Sequence, residues 1–350
     1  MAGIGSRARS RALGALYGLA IGDALGMPTQ GLSRARIVAR YGSLLDGFEP
    51  GPPGHPIAAG LPAGTITDDT EQAVLLARLI VKDGGAPDPA ELASQLLAWE
   101  DSMRTRGSLD LLGPSTRRAL DAIAAGASIE DAGRSGITNG AAMRIMPVGV
   151  ATPSGDPGLL VDRVVAASRV THNTGIALAG AAAVAAAVSA GIDGATVPEA
   201  VQRAASAAAS AADCGHWTAG ADVASRITWA AGLVAGLDRE QAMDVVYRLV
   251  GTSLATQESV PAAFAVATVS PRDPWLACRI AASLGGDGDT IAAMTGAICG
   301  ACQGVESFPE DARSTVTRVN ARDLGLEGLA VGLLAVRSGT ASRAGSDGAS

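Results

Sequence analysis

Two short segments concentrate oxygen-bearing side chains just ahead of helical patterns. In GTITDDTEQAVLLARL, Thr67, Asp68, Asp69 and Thr70 precede an apolar run, with Glu71 and Gln72 each three residues after an aspartate. In LGGDGDTIAAMTGAICGACQG, Asp287, Asp289 and Thr290 repeat the arrangement, Asp287 lying 220 positions after Thr67. One use of such a cluster is a capping box, in which an aspartate accepts a backbone N–H and the residue three positions on reaches back. A cap needs only one such residue. The helix dipole offsets only part of the repulsion among crowded carboxylates, so a hard divalent cation is the second use. If the two starts met, they would offer about six oxygen ligands, enough for one or two octahedral cations completed by water.

The elements that must position these residues are helices. Apolar residues recur at three and four in TEQAVLLARLIVKDG, PAELASQLLAWEDSM, PSTRRALDAIAAGA and IALAGAAAVAAAVSAG, whereas strand alternation is nearly absent. Start and stop signals sit at Asp88–Pro89 and at Gly191. Of the 350 residues, 48% are hydrophobic but only 3% aromatic, so the core is expected to be small-residue helices at close approach. After the second cluster, Ala292, Gly296, Gly300 and Gly304 recur at steps of four. That smooth seam is expected to press one carboxylate-bearing helix start against the other, with Gly285, Gly286 and Gly288 aiming side chains inward. The expected fold is all-α, a single compact multi-helical domain over 11–337, with an N-terminal extension at 1–10 and a disordered tail at 338–350. One long irregular stretch, Asp46 to Thr65 with five prolines, leads into the first cluster.

Several classes of function are set aside. A net charge of −7 gives no electrostatic footprint for nucleic acid. The four cysteines are too sparse for a disulfide framework, and Cys299 and Cys302 read as buried thiols. The Ala-rich run from Ala177 to Ala190 is too short for a membrane span. The basic and apolar residues before Asp23 run on unbroken into GDALG, so no leader peptide is read and the cytoplasm is the expected location.

Five segments, GALYGLAIGDALGMP, TDDTEQAV, TNGAAMRIMPVG, VTHNTGIALAGAAAVAAAV and LGGDGDTIAAMTGAICGA, together resemble the ADP-ribosylglycohydrolase family, in that family's order. The resemblance covers roughly Arg11 to Val336. It implies an all-α fold with a binuclear magnesium or manganese centre held by Thr67, Asp68, Asp69, Asp287, Asp289 and Thr290. It further implies an ADP-ribose site lined by Asn139, Gly140, Ala141 and Met143, within the segment Asn139 to Arg144, and by His172. Alone, His172 would read as a core histidine. His55, the His216–Trp217 pair and Glu258 carry weaker signals, for packing, an adenine shelf and a cap.

One departure bears on the chemistry. Family members place a glutamate seven residues after the aspartate of GDALG, where it assists the attacking water; here that position is Gln30. An amide can orient water but cannot take its proton at neutral pH. The base must then be Asp68, Asp69 or hydroxide held by the metals. The expected activity is hydrolysis at the ribose anomeric carbon of an ADP-ribosylated protein or small conjugate, through an oxocarbenium-like transition state. The alternatives are a hydrolase of simpler N-ribosides and a catalytically silent ADP-ribose-binding protein.

Overall fold

A computed structural model of the chain describes residues 5–108, 112–320 and 324–347. Among these residues there are eighteen α-helices and no sheet; the only strand-like pairings are two isolated bridges, Thr138 with Ala255 and Thr174 with His216. The four helical patterns form Asp68–Asp83, Pro89–Thr105, Pro114–Ala124 and Gly175–Ile192. Their ends follow local chemistry. Asp88 caps Ala90 and Glu91 with Pro89 at the first position, and Gly84 closes the Asp68 helix at φ 71°.

Gly191 is no stop signal. It lies inside its helix, where a Cβ would stand 2.8 Å from the Ala301 carbonyl carbon, so close approach explains the glycine. The helix Gly175–Ile192 is eighteen residues long with mean hydropathy 2.0, which corrects the reading that the Ala177 to Ala190 run is too short for a membrane span. Every one of its residues is buried within the protein.

The glycine seam has a different partner from the one expected. It packs not on the Asp68 helix but on the N-terminal helix Ser6–Gly26, which carries its own glycines at steps of four. Gly14 faces Gly300, Gly18 faces Gly296, Gly22 faces Ala292, and Gly26 faces the Cα of Asp289. A Cβ at Gly18 would stand 2.1 Å from the Gly296 carbonyl oxygen, so backbone meets backbone along four turns. The seam thereby fixes the depth at which Asp289 enters the site. Gly304 ends the seam outside the helix, at φ 90°.

Helical structure begins at Ser6, within the stretch read as an extension, and the last helix runs Leu326–Asp347, past Ser338. Residues 348–350 lie outside the described chain. The Asp46–Thr65 stretch is free of helix, and Cys278, Cys299 and Cys302 are buried thiols.

Candidate active site

The helices Asp68–Asp83 and Gly288–Gln303 begin at the same place. The Thr290 hydroxyl donates to Asp69 Oδ2 across 3.2 Å, and Thr67 Oγ1 lies 3.4 Å from the same oxygen. Asp69, 1% exposed, thus joins two clusters separated by more than two hundred positions.

The capping-box reading of the first cluster does not hold. Thr67 is the N-cap, Glu71 turns away to accept from Trp99 and Arg106, and Gln72 donates to the Asp68 side chain at 2.8 Å. What organises this helix start is Asp23, a residue the sequence reading used only as a landmark. Fully buried, it accepts from the backbone N–H and hydroxyl of both Thr67 and Thr70. The Thr67 hydroxyl donates to Asp23 over 2.7 Å, and the same oxygen accepts the Asp69 N–H at 3.4 Å, which leaves one lone pair for another partner. A carboxylate set in the apolar run LYGLAIGDALG was the available signal for this role.

The second cluster is aimed by its glycines. Gly285 and Gly286 adopt φ 92° and 73°, and the loop is clamped by hydrogen bonds from Gly31 N–H to the Gly286 carbonyl and from Asp287 N–H to the Thr252 carbonyl, both 2.7 Å. A Cβ at Gly286 would lie 2.2 Å from the Thr252 oxygen. Gly288 does not share this role; it is the first residue of its helix and shows no positive φ.

A cavity of about 240 Å³ opens over these starts, and Gln30, Asp68, Asn139, Gly140, Met143, Asp287, Asp289 and Thr290 line it. Thr67 and Asp69 sit beneath, buried. Asn139 ties the cavity wall to the second cluster, donating to Asp287 Oδ2 at 2.5 Å and to Ser259 at 3.0 Å. Larger cavities, about 490 Å³ beside Trp99 and about 610 Å³ beside Arg163, lie elsewhere.

Two expected lining residues do not line this cavity. Ala141 faces the core, because in the short helix Gly140–Arg144 only positions three apart, Gly140 and Met143, share the cavity face. His172 is fully buried behind Gly140, where a Cβ would approach its ring to 2.9 Å. Of the weaker candidates, Glu258 accepts from Ser253 N–H, and Trp217 stands 85% exposed away from the cavity lining. His55 has a definite role. Its Nδ1 accepts from Ile57 and Ala58 N–H, so Nε2 carries the proton and donates to the Gln30 carbonyl at 2.8 Å. The proline-rich loop is anchored to Gln30 in this way, and its Ile57 reaches the cavity wall. Gln30 is 7% exposed and its Nε2 has no hydrogen-bond partner among the described residues.

Burial pushes Asp23 and Asp287 each up to about 6, against the hydrogen bonds they accept. A carboxylic acid with a raised folded value stabilises the fold while protonated and loses that contribution as pH rises from its unfolded value near 3.8 through about 6. In a chelator, Asp287→Asn should therefore melt a few degrees above wild type at pH 7.5 and by clearly less at pH 4.5. Thermal scans at the two pH values check this, and an equal difference at both would contradict it.

Among the described residues no three carboxylate, imidazole or thiolate groups converge tightly enough to enclose an ion by themselves. The oxygens gathered here are carboxylates joined through threonine hydroxyls. All are hard donors of the kind that magnesium and manganese take.

The fold and cavity place the chain in a class of all-α proteins with a carboxylate-floored cleft between helix starts. A solved ADP-ribosylglycohydrolase-related protein complex shares the architecture with TM-score 0.67 and 26% identity, over 94% of this chain and 99% of that one. The sequence model of the ADP-ribosylglycohydrolase family matches residues 5–342, and the chain belongs to that family. It is 38% identical over 315 residues to the Escherichia coli (strain K12) protein YegU, covering 89% of this chain and 93% of that protein. The ADP-ribosyl-[dinitrogen reductase] glycohydrolase of Rhodospirillum rubrum is 33% identical over 180 residues, 48% of this chain and 53% of that enzyme.

Proposed function

We propose that this chain is a divalent-cation-dependent hydrolase that cleaves the glycosidic bond at the ribose anomeric carbon of an ADP-ribosylated protein or small ADP-ribose conjugate. The observation that supports this reading is the meeting of the buried Asp69 with Thr290, which lines a cavity walled by Asn139 and Gly140. Thr67, Asp68, Asp69, Asp287, Asp289 and Thr290 would hold two cations, magnesium or manganese. When bound, these would polarise a water and fix the ribose hydroxyls.

The chain's own residues do the rest. Asp23 accepts the Thr67 hydroxyl's hydrogen bond, and Asn139 holds Asp287 against the cavity wall. Asp68, which reaches the cavity, is placed to take the proton of the attacking water. Gln30 orients that water without accepting its proton. About 240 Å³ is below the usual range for a pocket that encloses a whole drug-sized ligand, so the ribose end enters and the adenosine end lies outside across the half-exposed Leu254.

Gln30 favours one second reading, a binder that no longer cleaves. A hydrolase of simple N-ribosides is the other rival, and calorimetry separates it. ADP-ribose should bind at least tenfold more tightly than ribose; equal affinity would favour the simple-riboside enzyme.

A further inference from the structure

Behind the cavity wall runs an unbroken chain of hydrogen bonds whose two ends both return to the cavity. From Asp68 Oδ2 it passes to Gln72 at 2.8 Å, to Arg144 Nη1 at 3.3 Å, from Nη2 to Thr171 Oγ1 at 2.5 Å, to His172 Nδ1 at 2.8 Å, and from Nε2 to Thr138 Oγ1 at 3.1 Å. Asp68 and Thr138 both line the cavity, while Gln72, Arg144, Thr171 and His172 are completely buried.

Arg144 can only donate, and that, with the contact distances, orders the protons along the chain. Toward Gln72 it must meet the carbonyl oxygen, which turns the amide N–H to Asp68. Toward Thr171 it occupies a lone pair, and the Thr171 proton has two acceptors, His172 Nδ1 at 2.8 Å and the Ser168 carbonyl at 3.5 Å. The shorter contact takes it. His172 then carries its proton on Nε2 and donates to Thr138, whose own hydroxyl proton is left to point into the cavity.

We infer that Arg144 is a positioning residue which orients this chain so that Thr138 presents a hydrogen-bond donor to an acceptor oxygen of the bound ligand. Burial and the nearby Arg144 charge hold His172 well below the usual histidine range, so the ring stays neutral and keeps one tautomer. His172 thus acts on the ligand through Thr138. The inference rests on the proposed function only for the ligand's identity.

The test therefore has two arms. In ligand-free protein, nitrogen NMR of the three histidines should show His172 as the neutral Nε2–H tautomer, and Thr171→Val or Arg144→Lys should convert it to a mixture. A wild-type Nδ1–H tautomer overturns the inference, whatever the protein binds, and so does a tautomer that folded Thr171→Val leaves unchanged. In the second arm calorimetry compares ADP-ribose binding by wild type, Thr138→Val and Thr138→Ser. Loss of one neutral hydrogen bond predicts roughly a three- to tenfold weaker Thr138→Val with Thr138→Ser near wild type. Equal binding by all three overturns the donor role. Failure of wild type to bind ADP-ribose counts against the proposed function, and the tautomer arm still decides the orientation of the chain.

Discussion

Replacing Asp69 with alanine should abolish the rise in melting temperature that magnesium or manganese gives the wild type, and with it any cleavage of an ADP-ribosyl substrate. Asp69 Oδ2 touches Thr290 at 3.2 Å and Thr67 at 3.4 Å, so its loss separates the two helix starts as well as removing a donor. A cation at a hundred times its dissociation constant stabilises the native state by about 2.7 kcal/mol, which thermal scans resolve easily. Residues that merely support metal ligands cost about 10- to 100-fold in affinity or activity when changed, so a residue that would itself hold the cation should cost more than about 100-fold. Asp46→Ala, at a carboxylate fully exposed to solvent, should leave the cation response intact. A cation-induced shift in Asp69→Ala as large as in wild type would remove Asp69 from the metal site.

The second large effect is a gain. Gln30→Glu should raise the rate of hydrolysis at saturating cation, by up to the roughly 10²–10⁴-fold worth of a general base where its carboxylate takes the proton more effectively than Asp68 does, because the amide cannot accept it at all. The replacement is nearly isosteric, and the His55 bond to the backbone carbonyl at 2.8 Å does not depend on the side chain. A further carboxylate also raises repulsion in a site that already holds four, so below saturation the variant should respond to cation more steeply than wild type. An active wild type that slows in Gln30→Glu would mean that the amide suits a different substrate. If both forms bind ADP-ribose and neither cleaves any conjugate, the binding reading replaces the hydrolase.

Helices announce themselves in this sequence because their signals are local. The apolar period of TEQAVLLARLIVKD and the αL glycine at Gly84 lie within one window, and so does the proline start at Pro89. The two acidic clusters were legible as candidates for the same reason. Their meeting was not, because neither segment encodes the other's position. That is set by Gly14, Gly18 and Gly22 of the first helix, a seam that reads as ordinary apolar filler until its partner is known. Asp23 was overlooked for a related reason. A single carboxylate among apolar residues has no spacing to mark it, and its four donors come from a helix that begins more than forty positions later. For His172 the sequence carried a resemblance to ligand-contacting residues but not the depth of the ring. One glycine, Gly140, separates it from the cavity, and Thr138 carries its hydrogen bond to the surface.

The most direct test is an activity panel of arginine-, serine- and nucleobase-linked ADP-ribose conjugates beside simple N-ribosides, each run in chelator and in magnesium or manganese. Wild type should release ADP-ribose from at least one conjugate only when divalent cation is present, with Gln30→Glu faster on the same substrate. Release that is undiminished in chelator, or turnover confined to the simple ribosides, would contradict the proposal.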